Sequence, residues 1–412
     1  MNHLVLFLSL LSLAIWIVLV FFWGGFWWRV LPEGRSLWDR ELEETHNGTE
    51  IDLKSVCAVV PARNEAEVLP ISLKSLLQQD YSGSFRVILV DDNSTDGTAT
   101  VAKEVAESLG ETITLADNSS ENARLHILSA EPLPKGWTGK LWALEQGTRY
   151  ALNLENPPDY LLLTDADIDR DRASLHRLVA KAQQEDLDLV SLMVKLRVQS
   201  FWENLLIPAF IFFFQKLYPF PWVNNPHKST SAAAGGCILM KKEALTRIGG
   251  IAAIKDALID DCALGKAVKG VKDSSPPYHK IWLGLTQNAH SLRPYDSLKA
   301  IWDMVARTAY TQLYYSPFLL LGTLLGMTLV YLVPPVSVVW GSLTGNWLCA
   351  IAGSLPWILM SIAYLPTLRF YNCSPFLALC LPGIAFLYTL MTLDSAFRHL
   401  RGKGGNWKGR VY

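Results

Sequence analysis

Tyr160-Leu-Leu-Leu-Thr-Asp165-Ala-Asp167 is the stretch whose reading decides the rest of the chain. A short, β-prone apolar run follows Asn156-Pro-Pro-Asp159 and reads as a buried strand. Two carboxylates one residue apart then mark the point where the chain leaves the sheet. Open α/β sheets bind their ligands at such strand ends. Asp165 and Asp167 therefore offer two hard oxygen donors on one edge of a crevice, suited to Mg²⁺ or Mn²⁺ holding a diphosphate. A strand that merely ends in a polar turn has the same local sequence, so the pair takes its weight from its surroundings.

With 412 residues there is room for one sizeable domain and more. Charged residues make up 18%, against about 25% in ordinary soluble proteins. The apolar excess sits at the two ends of the chain. No charge occurs from Leu4 to Trp28, from Thr308 to Leu368 or from Phe370 to Leu393, and a bilayer needs only about 20 such residues. An integral membrane protein is expected, in a bacterial inner membrane. The first run has no basic flank before it and no small-residue cleavage site after it, which argues against a signal peptide. Arg29 and Arg35 follow it and place the N-terminus outside and the next domain in the cytoplasm. A net charge of −1 leaves no footprint for nucleic acid. The six cysteines lack C-x-x-C spacing, so neither a disulfide framework nor a zinc site is expected. Two sequons, Asn47-Gly-Thr and Asn93-Ser-Thr, are chance matches in this topology.

The predicted organisation is a transmembrane helix (1–28), a polar connector (29–54), an α/β domain (55–310), a membrane region of two or three spans (311–395) and a basic tail (396–412). Strands are predicted at Val56–Val60, Phe85–Val90, Leu125–Leu128, Tyr160–Thr164 and Leu187–Leu196. Helical patterns lie between them, at Val68–Leu77, Thr98–Ser108, Lys140–Ala151 and Ala173–Gln184. Such alternation argues for right-handed βαβ units and a mostly parallel sheet. Phe201–Trp222 is crowded with aromatics, broken by prolines and nearly uncharged, so it is read as lying in the membrane interface rather than spanning. Gly235-Gly236 permits a close backbone approach. Asp260-Asp261 opens a helix, where capping alone would account for both acids. Asp296–Tyr310 is predicted to be an amphipathic helix. C-terminal spans are predicted near 317–340, 346–368 and 375–393. Four full spans from an outside N-terminus would leave the basic tail outside, so either the last segment, with Pro382-Gly383, is re-entrant or the count is off by one.

Four motifs in order resemble glycosyltransferase family 2, inverting enzymes of the GT-A fold that use nucleotide-sugar donors. They are Val59-Val-Pro-Ala-Arg-Asn-Glu65, Val90-Asp-Asp-Asn-Ser-Thr-Asp-Gly97, Thr164-Asp-Ala-Asp-Ile168 and Ile259-Asp-Asp-Cys-Ala-Leu264. The resemblance covers roughly 55–310. Within the family the chain is most similar to the membrane-bound hopene-associated glycosyltransferases, through Lys135-Gly-Trp-Thr-Gly-Lys-Leu-Trp-Ala-Leu144, Val305-Ala-Arg-Thr-Ala-Tyr-Thr-Gln312 and Trp407-Lys-Gly-Arg410. Ceramide glucosyltransferases are a more distant likeness.

The resemblance implies a Rossmann-like GT-A sheet, a nucleotide sugar (a UDP-sugar first) as donor and a membrane lipid, a hopanoid or similar polycycle, as acceptor. It implies Mg²⁺ or Mn²⁺ on Asp165 and Asp167, with Asp165 also on the donor. Pro61, Ala62, Arg63, Glu65 and Asp92 would line the nucleotide pocket, Asp92 by bonding a ring N–H of the base. Lys140 is either a cation for the leaving diphosphate or a solvated lysine at a helix start. Inversion needs a general base, for which Asp261 is the candidate and Asp260 the fallback. Arg307 is either a diphosphate contact or a positive-inside anchor. The Gln-x-x-Arg-Trp motif of processive relatives is not present around it, which argues against polysaccharide synthesis. Two alternatives stand beside this reading: transfer to a polyprenyl phosphate, and a non-catalytic membrane assembly protein that keeps the fold. A D-x-D-x-T phosphohydrolase is excluded because Asp169 occupies the Thr position.

Overall fold

The computed structural model describes residues 2–48, 52–115, 123–270, 275–402, 406–407 and 410–411. Thr49 of the first sequon, and Lys403 and Lys408 of the tail with part of its Trp407–Arg410 motif, lie outside the described residues. Helix α1 (Asn2–Phe22) is shorter than the predicted 1–28, ending before Gly24 and Gly25, both at positive φ. Helix α2 (Leu37–Gly48) occupies a little under half of the expected connector.

One nine-stranded sheet organises the middle of the chain: β1 (Val56–Ala62), β2 (Phe85–Asp91), β3 (Ile113–Leu115), β4 (Leu125–Ser129), β5 (Tyr160–Leu163), β6 (Ile168–Arg170), β7 (Leu189–Lys195), β8 (Ile238–Lys241) and β9 (Ile281–Ser291). Their spatial order is β3-β4-β2-β1-β5-β8-β7-β9-β6. From β3 to β5 every pairing is parallel, β8 is antiparallel to both neighbours, β7 and β9 are parallel, and β6 is antiparallel to β9. The α/β class and mostly parallel sheet expected from sequence are thus observed. Helices α3 (Leu69–Leu77), α4 (Thr98–Ser108), α5 (Gly139–Leu152) and α6 (Ser174–Gln184) make the crossovers. Covered on both faces, β1 and β5 bury every residue, which is why they read as continuous apolar runs. Strands β3 and β6 have three residues each, too few to show a period, and β9 has its pattern broken by Thr286-Gln287-Asn288. Helix α2 is fastened to β9 because the buried Asp39 carboxylate accepts from Thr286 Oγ1 at 2.5 Å and from the Gln287 amide at 2.8 Å.

Later elements are α7 (Phe201–Leu217), α8 (Phe220–Val223), α9 (Lys242–Ile248), α10 (Asp260–Lys269) and α11 (Leu298–Gln312). Helix α7 starts with a capping box made by Ser200 and Glu203 and keeps Pro208 inside it. The chain leaves β7 to form α7 and α8 and returns to β8, the hydrogen-bonded neighbour of β7, so both ends of this segment meet the sheet. Phe201–Val223 is apolar and long enough to cross a membrane. Leu206, Ile207, Ala209, Ile211 and Phe212 have no exposed surface, so the stretch expected at an interface is also core on one side.

Among the described residues, Asn2–Phe22, Pro317–Thr344, Trp347–Phe370 and Pro375–Leu400 are likewise long and apolar enough to cross a membrane. The second run is α12 (Pro317–Met327), a π-helical turn (Thr328–Leu332) and α13 (Val333–Thr344). Pro334 has no N–H to give the carbonyl of Val330. The Trp16 indole donates to that oxygen instead, at 2.9 Å, which ties α1 to the turn. At the end far from the sheet, Trp340 donates to Asn2 Oδ1 at 3.1 Å. Helix α14 (Trp347–Phe370) then runs back, and Phe370 O accepts from Gln287 Nε2 of β9 at 2.9 Å.

The last segment does not repeat the crossing. Pro375–Cys380 passes back along α14 only to its middle, where Trp357 Nε1 meets Leu379 O at 3.1 Å and Ser361 Oγ meets Ala378 O at 3.2 Å. Helix α15 (Leu381–Leu400) then returns to α11, where Trp302 Nε1 donates to Asp394 at 2.7 Å and the Tyr310 amide to Ser395 Oγ at 3.0 Å. Residues 375–400 thus form a hairpin that packs against the middle of α14 and returns to α11.

Helix α5 lies so close on the sheet that a Cβ at Gly147 would sit 2.4 Å from Val59 Cγ1 and 3.0 Å from Val90 Cγ2. Gly147→Ala should lower stability by about 1–3 kcal/mol, the range for overpacking, and lower the thermal unfolding midpoint in detergent. Gly322→Ala, with nothing within 4 Å of the added Cβ, should leave the midpoint unchanged or raise it.

Candidate active site

Four chain segments converge at the carboxyl ends of β1 and β5. The Thr138 hydroxyl caps α5, so Lys140 lies in the helix's first turn and points across the end of β5. Its ammonium is 2.8 Å from Asp165 Oδ1 and 3.0 Å from Asp260 Oδ2. Burial works against that charge, but Asp165 and Asp260 outweigh it and hold the Lys140 pKa above its ordinary value. Lys140 is therefore the bridge of an ion triad, not the solvated lysine of the second sequence reading.

The Gly235 amide donates to Asp261 Oδ2 at 3.0 Å. A Cβ at Gly235 would come within 3.0 Å of Lys140 Nζ and 3.7 Å of both Asp165 Oδ2 and Asp261 Oδ2, so a side chain there would intrude on the acids and their cation. Residue Ile259, not either acid, is the N-cap of α10. Asp261 Oδ1 does accept the neighbouring Cys262 amide at 2.7 Å, while Asp260 is held by Lys140. Capping accounts for only part of the pair. Burial first, then the charge of Asp260, pushes the Asp261 pKa up to about 6, with Lys140 pulling the other way.

Asp167, 5% exposed, accepts from Ser291 Oγ at 2.5 Å and lies 3.6 Å from Arg293 Nε. Arg293 also donates to Glu65 at 2.9 Å, linking the first motif to the third. Asp165 is raised above the usual carboxylate range by burial, which Lys140 opposes and Asp167 reinforces.

These groups line one cavity of about 590 Å³, within the range of small-molecule sites. Of the residues singled out in the sequence, Pro61, Glu65, Lys140, Asp165, Asp167, Asp260, Asp261 and Arg307 share its wall. Ala62, Arg63 and Asp92 are not among its lining residues. Asp92 is 2% exposed, and Arg63 Nη1 sits 2.6 Å from its backbone oxygen and 3.6 Å from Oδ2. Among the described residues, buried Arg307 Nε has no hydrogen-bond partner. The cavity continues past the acids between α7, α11, α12 and α15, along Phe210, Phe213, Met304, Met327 and Tyr388.

Among the described residues no group of three His, Cys, Asp or Glu side chains is placed to hold a metal ion unaided. Mg²⁺ commonly takes one or two carboxylates and completes its shell with water and substrate phosphates. Lys140 faces one oxygen of Asp165, and Ser291 and Arg293 share one of Asp167. That donor set fits a divalent ion that arrives with a diphosphate. The sequence gives Ser291, Arg293 and Tyr295 no role, because the strand that ends at Ser291 is not recognisable in it and Ser291-Leu-Arg-Pro-Tyr295 has no spacing of its own to mark it.

Residues 57–249 match the family model described as glycosyl transferase family 2, a little under half of the chain. A 4,4'-diaponeurosporenoate glycosyltransferase from Staphylococcus haemolyticus is 32% identical over 118 residues, 28% of this chain and 25% of that protein. The chain thus spans about a quarter of the length of the curated relative it matches. Among solved structures, the mannosyltransferase PcManGT from Pyrobaculum calidifontis, in complex with GDP-Man and Mn²⁺, is similar over 94% of this chain and 99% of that chain, at 17% identity and a TM-score of 0.47. A glucosyl-3-phosphoglycerate synthase from Mycobacterium tuberculosis is similar over 67% of this chain and 82% of that chain, at 17% identity and a TM-score of 0.38.

Lys140→Met leaves Asp165 and Asp260 facing each other without the cation between them. The Asp165 pKa should rise further, so the variant should lose stability as pH rises and regain part of it as pH falls and that carboxylate takes a proton. The loss at pH 8 should stay below the about 3–5 kcal/mol of a fully buried pair, since these partners are partly open. Thermal midpoints of wild type and variant between pH 5 and 8 check this.

Proposed function

We propose that this chain, whose residues 57–249 match the glycosyltransferase family 2 model, moves a sugar from a nucleotide sugar, a UDP-sugar first, to a membrane lipid with inversion. The observation that carries this reading is the single cavity joining the acidic strand ends to an apolar limb between helices. A donor and a lipid acceptor can meet there without either leaving its own medium.

Asp165 and Asp167 would hold Mg²⁺ or Mn²⁺, which stabilises the negative charge that grows on the departing diphosphate. Lys140 fixes Asp165 toward that position and Arg293 with Ser291 fixes Asp167, so the site is set before substrate arrives. Arg307, in the same wall, is placed for the diphosphate. Asp261 is the general base: its carboxylate takes the proton of the acceptor hydroxyl while that oxygen attacks the anomeric carbon from the face opposite the diphosphate. The bond to the diphosphate breaks and its electron pair leaves with it, which inverts the centre. Asp260 is the poorer base because Lys140 already neutralises it. Pro61 and Glu65 face the donor. Ala62, Arg63 and Asp92 support that wall from outside the cavity.

The sheet domain would lie in the cytoplasm under the positive-inside rule. Three runs, α1, α12–α13 and α14, would cross the bilayer, α7 would lie in its interface, and 375–400 would dip in and return. The tail then stays inside with its arginines.

Two tests follow. With a labelled UDP-sugar and membrane lipid extract, Asp167→Asn should remove transfer together with metal-dependent UDP binding. Asp261→Asn should keep UDP binding and lose transfer by at least about 100-fold, the low end for a general base. Wild-type transfer should fall as pH drops through about 6, and Asp260→Asn should move that limb to lower pH by removing a neighbouring charge. Normal transfer by Asp261→Asn would refute the base assignment. In intact cells, on a Cys380→Ser background, an impermeant maleimide should label Thr344→Cys but reach Arg401→Cys only after lysis.

A further inference from the structure

At the apolar limb of the cavity stands a cation that transfer chemistry as described does not use. Lys216, near the end of α7, lines the same cavity as Asp165, Asp167 and Asp261. Its side chain does not reach out to water, as an anchoring lysine's would. It turns inward, with Nζ 2.7 Å from the Tyr331 hydroxyl, 4.7 Å from the centre of the Tyr331 ring and 5.2 Å from that of Phe213. Tyr331 itself has no exposed surface and lies in the π-helical turn that α1 supports through Trp16. Among the described residues no carboxylate pairs with Lys216. An ammonium held among aromatic rings at the depth of membrane helices, with a phenol as its partner, is costly unless something repays it.

The cavity is therefore polarised. Carboxylates occupy the end at the sheet, and an unpaired ammonium occupies the limb between the helices. An acceptor lying along it would place its nucleophilic hydroxyl at Asp261 and any negative group at the far limb, away from acids that would repel it.

We propose that Lys216 recognises an anionic group on the tail side of the acceptor's hydroxyl, so that the acceptor is an anionic hydroxy-lipid and not a neutral alcohol. This rests on reading the cavity as a transfer site. A phosphodiester headgroup with a free hydroxyl and a hydroxy acid with its carboxylate at the other end share this chemistry. It adds a negative charge to the hopanoid or similar polycyclic lipid that the family resemblance implied.

Native mass spectrometry of the full-length protein in neutral detergent tests it. The probes are dioctanoylphosphatidylglycerol, ω-hydroxydodecanoate and uncharged dioctanoylglycerol, each offered at equal concentration. At least one anionic probe should bind roughly tenfold more tightly than dioctanoylglycerol, and which one does identifies the phosphodiester or the carboxylate as the source of charge. Lys216→Met should erase the preference and Lys216→Arg should keep it. Equal binding of all three probes by wild type overturns the proposal, whatever the variants do, as does a preference that survives Lys216→Met. UDP binding is measured on the same wild-type sample. Its absence refutes the donor reading, whereas UDP binding with no lipid preference refutes the role of Lys216 alone.

Discussion

Everything at this site depends on one ammonium between two carboxylates. Strand ends of a parallel sheet bring acidic residues together because each crossover delivers its loop to the same edge, and here Asp165, Asp167, Asp260 and Asp261 arrive within one cavity. Like charges so placed, with little water between them, would drive one another's pKa values upward or open the fold. Lys140 limits this by meeting Asp165 and Asp260 at once, and Arg293 does the same for Asp167 and Glu65. The acid left least compensated is then Asp261, the proposed base. Among the described residues it has two amide donors and no cation in contact, and burial beside Asp260 raises its pKa.

The membrane-type helices obey a second constraint, that every backbone oxygen in an apolar setting needs a donor. Pro334 withdraws the donor of Val330, the helix loosens into a π turn, and Trp16 from another helix closes the gap. That turn also positions Tyr331, and through it Lys216. Pro334 thus connects helix packing to the wall of the cavity.

Much of the fold was legible because long buried strands and amphipathic helices carry periods. The strands beginning at Val56, Phe85 and Tyr160 and the helix Thr98–Ser108 were found nearly to the residue. Asp165, Asp167 and Asp261 stood out because a carboxylate at a strand or helix end is local information. What escaped depends on contacts distant in sequence. The partners of Asp167 lie more than a hundred residues away at the end of β9, helix α2 is held by an acid whose hydroxyl partner is on that same strand, and the hairpin path of 375–400 is fixed by α14 and α11. Composition could identify that last segment as apolar, but not where it turns back.

The central claim is that the acidic end of the cavity is a metal-dependent site for a nucleoside diphosphate. Calorimetric titration of UDP into the detergent-solubilised protein, with and without Mn²⁺, tests it most directly. The account predicts binding that requires the metal. Absence of binding with Mn²⁺ present, for GDP as well as UDP, would contradict it and leave the fold without this function.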